Sequence, residues 1–95
     1  MKATRVDIEV FTSTICKNCQ RASYMVEEVL KDPDFESITW REVDVLVEID
    51  HAVALGVLAT PAIVMGGTLA FTALPSKQQF RSAVQHYRNK QKDKP

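Results

Sequence analysis

Both cysteines of this 95-residue chain lie close together, in the segment Cys16-Lys17-Asn18-Cys19. Two thiols at this spacing can be oxidised to a disulfide and reduced again, provided that one is available as a thiolate, the species that attacks disulfides. The N-terminus of a helix supplies this condition, because its unpaired N–H groups and partial positive charge favour an anion. The spacing therefore indicates a redox-active dithiol if the pair lies where a helix begins.

The residues on either side of the pair predict a strand followed by a helix. Residues 6–11 alternate apolar and charged side chains with the period of a strand. After the pair, apolar residues recur at three- and four-residue steps, which is typical of an amphipathic helix. We predict a helix over residues 16–31 that stops at Asp32-Pro33, because proline cannot continue it. Cys16 is then expected at or just before the first helical turn, and Cys19 one turn further along.

The rest of the chain predicts three more strands and two more helices. In order, these are a strand over Ser37–Val45, a helix from Leu46 that ends at Gly56, strands over Ala62–Met65 and Thr68–Thr72 joined by a Gly66-Gly67 turn, and a last helix that begins with a Ser76/Gln79 capping box. The second strand has apolar residues on both faces, which suits a strand at the edge of a sheet. The order β-α-β-α-β-β-α predicts an α/β fold with a parallel crossover and a late antiparallel hairpin.

Length and composition fit one small globular domain over residues 1–95, with a frayed tail from about residue 89. Twelve basic residues balance twelve acidic ones, so charge gives no reason to expect a nucleic-acid or membrane partner. No apolar run approaches the roughly 20 residues needed to cross a bilayer, and we expect no signal sequence at the N-terminus. Two cysteines in a reducing compartment are more often catalytic or metal-binding than structural. We expect a cytoplasmic monomer.

With these elements in place, the chain resembles the thioredoxin/glutaredoxin superfamily in its minimal form, a four-stranded mixed sheet with three helices. Three features carry the resemblance: the cysteine pair at the first strand–helix junction, Thr60-Pro61 before the third strand, and the Gly66-Gly67 hairpin that leads to the last helix. The resemblance implies a thiol–disulfide oxidoreductase that acts on protein disulfides. It would need no organic cofactor and would receive electrons from a reductase that the sequence does not identify.

The resemblance also implies roles for individual residues. Cys16 would attack the substrate and form a mixed disulfide, and Cys19 would resolve it. The Thr60–Pro61 bond would be cis and lie beside the cysteines, and the edge of Thr60 would pair with an extended substrate segment. Ile15 occupies the position of a tryptophan in thioredoxins and joins this expected substrate site. The alternative for Pro61 is a trans proline that merely starts an edge strand.

The chain departs from its relatives at positions that bear on chemistry. Thioredoxins bury an acid in the first strand to take the proton from the second cysteine, and Val10 stands there in this chain. Glutaredoxins bind glutathione through a lysine where this chain has Ser13, and through an acidic turn where it has Ala73-Leu74-Pro75. We therefore expect exchange with protein dithiols rather than with glutathione. The sequence does not identify the group that deprotonates Cys19.

Three alternatives use the same two cysteines. The pair could carry Cu(I) or zinc, as in copper-carrying domains, although those have the element order βαββαβ. A zinc site would need further ligands, from His51, His86 or a second chain. The chain could also be a redox-inactive binding module on the same scaffold, or the thiols could simply pack. The sequence does not set the reduction potential, which spans about −270 to −120 mV in this fold, and so leaves the direction of exchange open.

Overall fold

A four-stranded mixed sheet organises the chain. The structure, a computed structural model, describes residues 6–92, with side chains through Lys90. Its elements are β1 (Ile8–Thr12), α1 (Cys19–Leu30), a 3₁₀ turn (Pro33–Phe35), β2 (Trp40–Asp44), α2 (Ile49–Ala54), β3 (Ala62–Met65), β4 (Thr68–Phe71) and α3 (Lys77–Lys92). No helix within this range has both the length and the apolar character that a membrane span requires.

The strands lie in the order β2-β1-β3-β4. β1 runs parallel to β2 and antiparallel to β3, and β3 and β4 form an antiparallel hairpin. This confirms the predicted fold, including the position of the second strand at an edge. The two inner strands are deeply buried: Ile8, Val10 and Phe11 of β1 are inaccessible to solvent, and all four residues of β3 are buried.

Strand alternation divides the core between the two faces of the sheet. Ile8 and Val10 pack with the apolar faces of α1 and α3, in a cluster that includes Val26 and Phe80. Phe11 faces the other side of the sheet, where it packs in a smaller apolar cluster that includes Ala52 of α2. The mixed pattern of the second strand follows the same division: Ile38 and Trp40 belong to the first cluster, Val43 and Val45 to the second.

Local hydrogen bonds at its two ends make β2 shorter than the predicted 37–45. At its start, the Ile38 N–H donates to the Phe35 carbonyl, so the chain is still turning there. At its end, the Asp44 carboxylate accepts the Leu46 N–H at 2.8 Å and closes a turn. Because of that turn, α2 begins at Ile49 rather than at the predicted Leu46.

The last helix begins as predicted and extends further than predicted. Ser76 and Gln79 exchange side chain–backbone hydrogen bonds of 3.0 Å, the reciprocal pair of a capping box. The helix continues through Lys92, so residues 89–92, expected in a frayed tail, are helical. Residues 93–95 of that expected tail lie outside the described residues.

Two arginines of α3 attach the helix to the 3₁₀ turn. Arg81 forms an ion pair with Asp32 and, together with Arg88, lies over the Phe35 ring. The N–H of Asp34 and the Arg81 guanidinium lower the pKa of the Asp32 carboxyl. The end of α1 and the body of α3 are thereby joined on one side of the sheet.

The β3–β4 hairpin is tied to α3 through one of its two glycines. Gly66 and Gly67 both have positive φ, at 57° and 82°, as a tight hairpin turn requires. A Cβ at Gly66 would lie 2.7 Å from Cε1 of Tyr87, whereas one at Gly67 would meet nothing within 4 Å. The Tyr87 hydroxyl donates to Asp7 at 2.8 Å, so its ring is held in place.

This difference predicts unequal effects of alanine at the two positions. Gly67→Ala should cost about 1–2 kcal/mol of unfolding free energy, because alanine must adopt a left-handed conformation. Gly66→Ala should cost about 1–3 kcal/mol more, because it also displaces the Tyr87 ring. Urea unfolding of the two variants checks this, and equal losses would mean that the Tyr87 ring moves freely.

Candidate active site

The cysteine pair lies in the connection between the central strand and the first helix. The Cys16 N–H donates to the Ser13 carbonyl at 3.3 Å, which forms a turn rather than a helical bond. The first helical bond runs from Ala22 to the Asn18 carbonyl, at 2.9 Å. The predicted helix start at Cys16 is therefore wrong: α1 begins at Cys19, and Cys16 precedes it.

Cys16 and Cys19 are joined by a disulfide, with their Cα atoms 5.5 Å apart. Asn18 occupies the N-cap position of α1, and its side chain makes no capping hydrogen bond. The N–H groups of the first turn, which begins at Cys19, are thus left without that cap. A thiolate formed there on reduction is stabilised by these N–H groups and by the helix dipole.

The two cysteines differ in their access to solvent. Cys19 is 5% exposed and shares the buried stripe of α1 with Ala22 and Val26. Cys16 is only half-buried, because it lies in the turn before the helix. An incoming disulfide can therefore reach Cys16 more easily than Cys19.

The Thr60–Pro61 segment lies beside the cysteine connection. The bond between these two residues is cis, as the resemblance implied, and Pro61 is buried. The hydroxyl oxygens of Ser13 and Thr60 are 3.3 Å apart and form a hydrogen bond. This contact joins the loop that carries the cysteines to the loop that precedes β3.

An apolar groove opens next to this hydrogen bond. It has a volume of about 190 Å³ and is lined by Ser13, Val45, Val57, Leu58, Ala59 and Thr60. Two large apolar side chains of the neighbouring loops are almost fully exposed: Leu58 at 96% and Ile15 at 90%. Single exposed apolar side chains are common on protein surfaces, so it is the position of these two beside the cysteines and the groove that marks them as candidates for binding.

Sequence reasoning identified Thr60 in this groove and missed Val45, Val57 and Leu58. These three carry no chemical motif, and Val45 comes from a different segment of the chain than Val57 and Leu58. One available signal was the sheet order, since the ends of parallel neighbours β1 and β2 meet at one edge of the sheet. It would have brought Val45 to the end of β1, and an antiparallel pairing of β3 with β1 would have brought the loop that precedes β3 there as well.

The two histidines that could have completed a metal site lie in different surroundings. The His51 ring contacts the Glu9 carboxylate at 3.0 Å, and Glu9 also accepts two hydrogen bonds from Arg41. His86 is exposed on α3. Arg41 also pairs with Glu48, whose pKa this pairing lowers. This network fixes α2 against the sheet.

Comparison with known proteins identifies the family. A family model described as the thioredoxin domain matches residues 6–85. The chain belongs to the thioredoxin family. A probable thioredoxin of Methanothermobacter thermautotrophicus is 34% identical over 79 residues, which are 83% of this chain and 92% of that protein. A thioredoxin of Methanocaldococcus jannaschii is 33% identical over 82 residues, 85% of this chain and 94% of that protein.

Solved thioredoxin structures share the fold at lower identity. A mutant thioredoxin of Halobacterium salinarum superposes with a TM-score of 0.71 at 21% identity, covering 84% of this chain and 72% of that one. Thioredoxin 1 of Thermosipho africanus also gives 0.71, at 17% identity, covering 90% of this chain and 98% of that one. As a member of the thioredoxin family with this dithiol, the chain is a thiol–disulfide oxidoreductase. Such proteins act on protein disulfides and are reduced by a reductase.

The unequal exposure of the cysteines predicts unequal alkylation of this thioredoxin-family protein. After reduction, iodoacetamide at neutral pH should modify Cys16 first, because Cys19 is buried and a buried thiol resists ionisation. Mass spectrometry of peptides from a short reaction gives the ratio of alkylated Cys16 to alkylated Cys19. In urea, where the fold is lost, the preference should disappear. Equal labelling of both thiols in the folded protein would contradict the prediction.

Proposed function

We propose that Cys16 attacks protein disulfides and that Cys19 releases the product. The observation that supports this division is the position of the two residues relative to α1. Cys16 lies before the helix and is half-buried, whereas Cys19 is its first residue and is 5% exposed. The accessible thiol beside the helix N-terminus is the better nucleophile.

The exchange takes two steps. In the reduced protein, the Cys16 thiolate attacks one sulfur of the substrate disulfide, and the other substrate sulfur leaves as a thiolate. Cys19 then loses its proton and attacks Cys16 Sγ, which forms the Cys16–Cys19 disulfide and expels the second substrate sulfur. Two electrons pass to the substrate, and the reverse sequence oxidises a substrate dithiol. A reductase restores the dithiol.

We propose that Ile15, Thr60 and Pro61 hold the substrate during this exchange. Thr60 lies just beyond the last pair of the β1–β3 ladder, Phe11 with Ala62, so the main chain there faces the end of the cysteine loop. An extended substrate segment placed along Thr60 would set an apolar side chain in the adjacent groove. The exposed Ile15 side chain would cover the segment from the other side.

The proposed partners are protein disulfides rather than glutathione. The position of the glutaredoxin lysine is taken by Ser13, whose hydroxyl is bound to Thr60 at the rim of an apolar groove. Such a surface suits apolar segments of a protein better than a small charged peptide. Because one chain supplies both cysteines and the Thr60 loop, we propose that it works as a monomer, in the reducing cytoplasm.

Serine substitutions of the two cysteines test the assigned roles. Cys16→Ser should abolish dithiothreitol-driven reduction of insulin, because the attacking group is lost. Cys19→Ser should keep the attack but block release, so that substrate accumulates as a mixed disulfide on Cys16. Mass spectrometry of the trapped adducts identifies the cysteine that is bonded to the substrate.

Two results would contradict these roles. Adducts on Cys19 in the Cys16→Ser variant, formed at the wild-type rate, would mean that the roles are reversed. Stoichiometric binding of Cu(I) or zinc by the reduced protein, without any disulfide exchange, would favour the metal-carrier alternative.

Substitution of Ile15 tests the proposed substrate surface. Ile15→Ser should raise KM for insulin about three- to tenfold, because roughly 1 kcal/mol of apolar contact is lost. It should not affect exchange with a small aromatic disulfide that does not span the groove. Val53→Ser is the matched control, since Val53 is 67% exposed on α2 and does not line the groove. Equal effects of the two variants on insulin would contradict the assignment.

A further inference from the structure

The release step requires a proton acceptor for Cys19. A thiol has a pKa of about 8.5 in water, and burial in apolar surroundings raises it further. Cys19 is 5% exposed, and this burial favours its protonated form. Val10 of β1, which faces the same side of the sheet as α1, is apolar and cannot accept the proton. An acceptor within the protein would therefore belong to another element on this side of the sheet.

Sheet register brings an acid of β2 to this position. Val10 is the register partner of Glu42, and in a parallel pair the partners project from the same face of the sheet. The contact of Glu42 confirms the direction: its carboxylate accepts a hydrogen bond from the hydroxyl of Ser23, on α1. The exposed Glu42 side chain therefore reaches from the sheet edge to the helix that carries Cys19.

Helix geometry connects this contact to the cysteine. Ser23 lies four residues after Cys19, so the two side chains are neighbours on one face of α1. Their Cβ atoms are about 5–6 Å apart at this spacing. The Glu42 carboxylate, bound to the Ser23 hydroxyl, is thus within about one helical turn of the Cys19 thiol. Once the disulfide is reduced, a hydrogen bond from the Cys19 thiol to the Ser23 hydroxyl would complete a proton relay to Glu42, since the hydroxyl both accepts and donates.

Other charged groups near this face are placed less well. Asp44 projects from the same face at the end of β2, but its carboxylate is engaged by the Leu46 N–H at 2.8 Å. Glu27 lies two turns from Cys19 along α1, about 12 Å away. Lys17, between the cysteines, is exposed and carries the wrong charge to accept a proton.

We propose that Glu42 is the proton acceptor for Cys19 in the release step, an inference that rests on the cysteine roles proposed above. In the mixed disulfide, the Cys19 proton passes through Ser23 to the Glu42 carboxylate. The Cys19 thiolate then attacks Cys16 Sγ, the bond between Cys16 and the substrate breaks, and the substrate sulfur leaves as a thiolate. Protonated Glu42 returns the proton to that thiolate or to water. In the oxidative direction, Glu42 supplies the proton to Cys19.

Stopped-flow reaction of the reduced protein with 5,5′-dithiobis(2-nitrobenzoate) separates the two steps. The first release of nitrothiobenzoate reports attack by Cys16, and the second reports resolution by Cys19. Glu42→Gln retains an acceptor for Ser23 but is not a base. It should leave the first phase unchanged and slow the second at least about tenfold at pH 7. At a pH well above the ordinary thiol pKa of about 8.5, its rate should approach that of the wild type, because Cys19 then ionises without help.

Three further variants complete the test. Glu27→Gln, the same change on the exposed face of α1, should behave as the wild type, and Glu42→Asp should recover part of the second phase. An unchanged second phase and pH profile in Glu42→Gln would overturn the proposal. So would a pH-dependent loss in Asp44→Asn alone, which would make Asp44 the acceptor. If the wild type shows neither phase, the proposed cysteine roles fail first, and this inference with them.

Discussion

The pairing of β1 along both of its edges is the constraint on which the rest of the structure depends. Ile8, Val10 and Phe11 are inaccessible to solvent, and a one-residue slip would place the Glu9 carboxylate in the core instead. The register is therefore fixed by burial. At the end of this strand, the end of β2 and the beginning of β3 arrive from either side. Both loops of the site, the one that carries the cysteines and the one that carries Thr60, meet at this point, together with Val45 of the groove. They meet because β2 and β3 are both held in register against β1.

The two faces of the sheet contribute differently to the active site. The face toward α1 holds Cys19 and carries an acid of β2, Glu42, in contact with the helix. The opposite face carries the charged network in which Arg41 joins Glu9 to Glu48 and so fixes α2. Because alternate residues of β2 serve opposite faces, one short strand supplies both the support of the groove and the proposed proton acceptor.

Much of this arrangement was predictable from the sequence, and the remainder depended on contacts between distant segments. The bounds of β3 and its glycine turn were predicted correctly, since a run of four apolar residues before Gly66 admits few alternatives. The start of α1 was not, because a bond from Cys16 to the Ser13 carbonyl competes with helix formation. Val45 and Glu42 became candidates for function only once the register of β2 against β1 was known.

The two open edges of the sheet differ in charge. β2 presents Arg41, Glu42 and Asp44 along its edge, and a strand from another molecule would have to desolvate these charges to pair with it. β4, at the opposite edge, consists of Thr68-Leu69-Ala70-Phe71 and has no charged side chain. Self-association of partly unfolded molecules through strand addition would therefore begin at β4. The charged edge strand β2, which lies beside the active site, thus disfavours aggregation by itself. The uncharged edge strand β4 is kept from aggregating only while the protein stays folded.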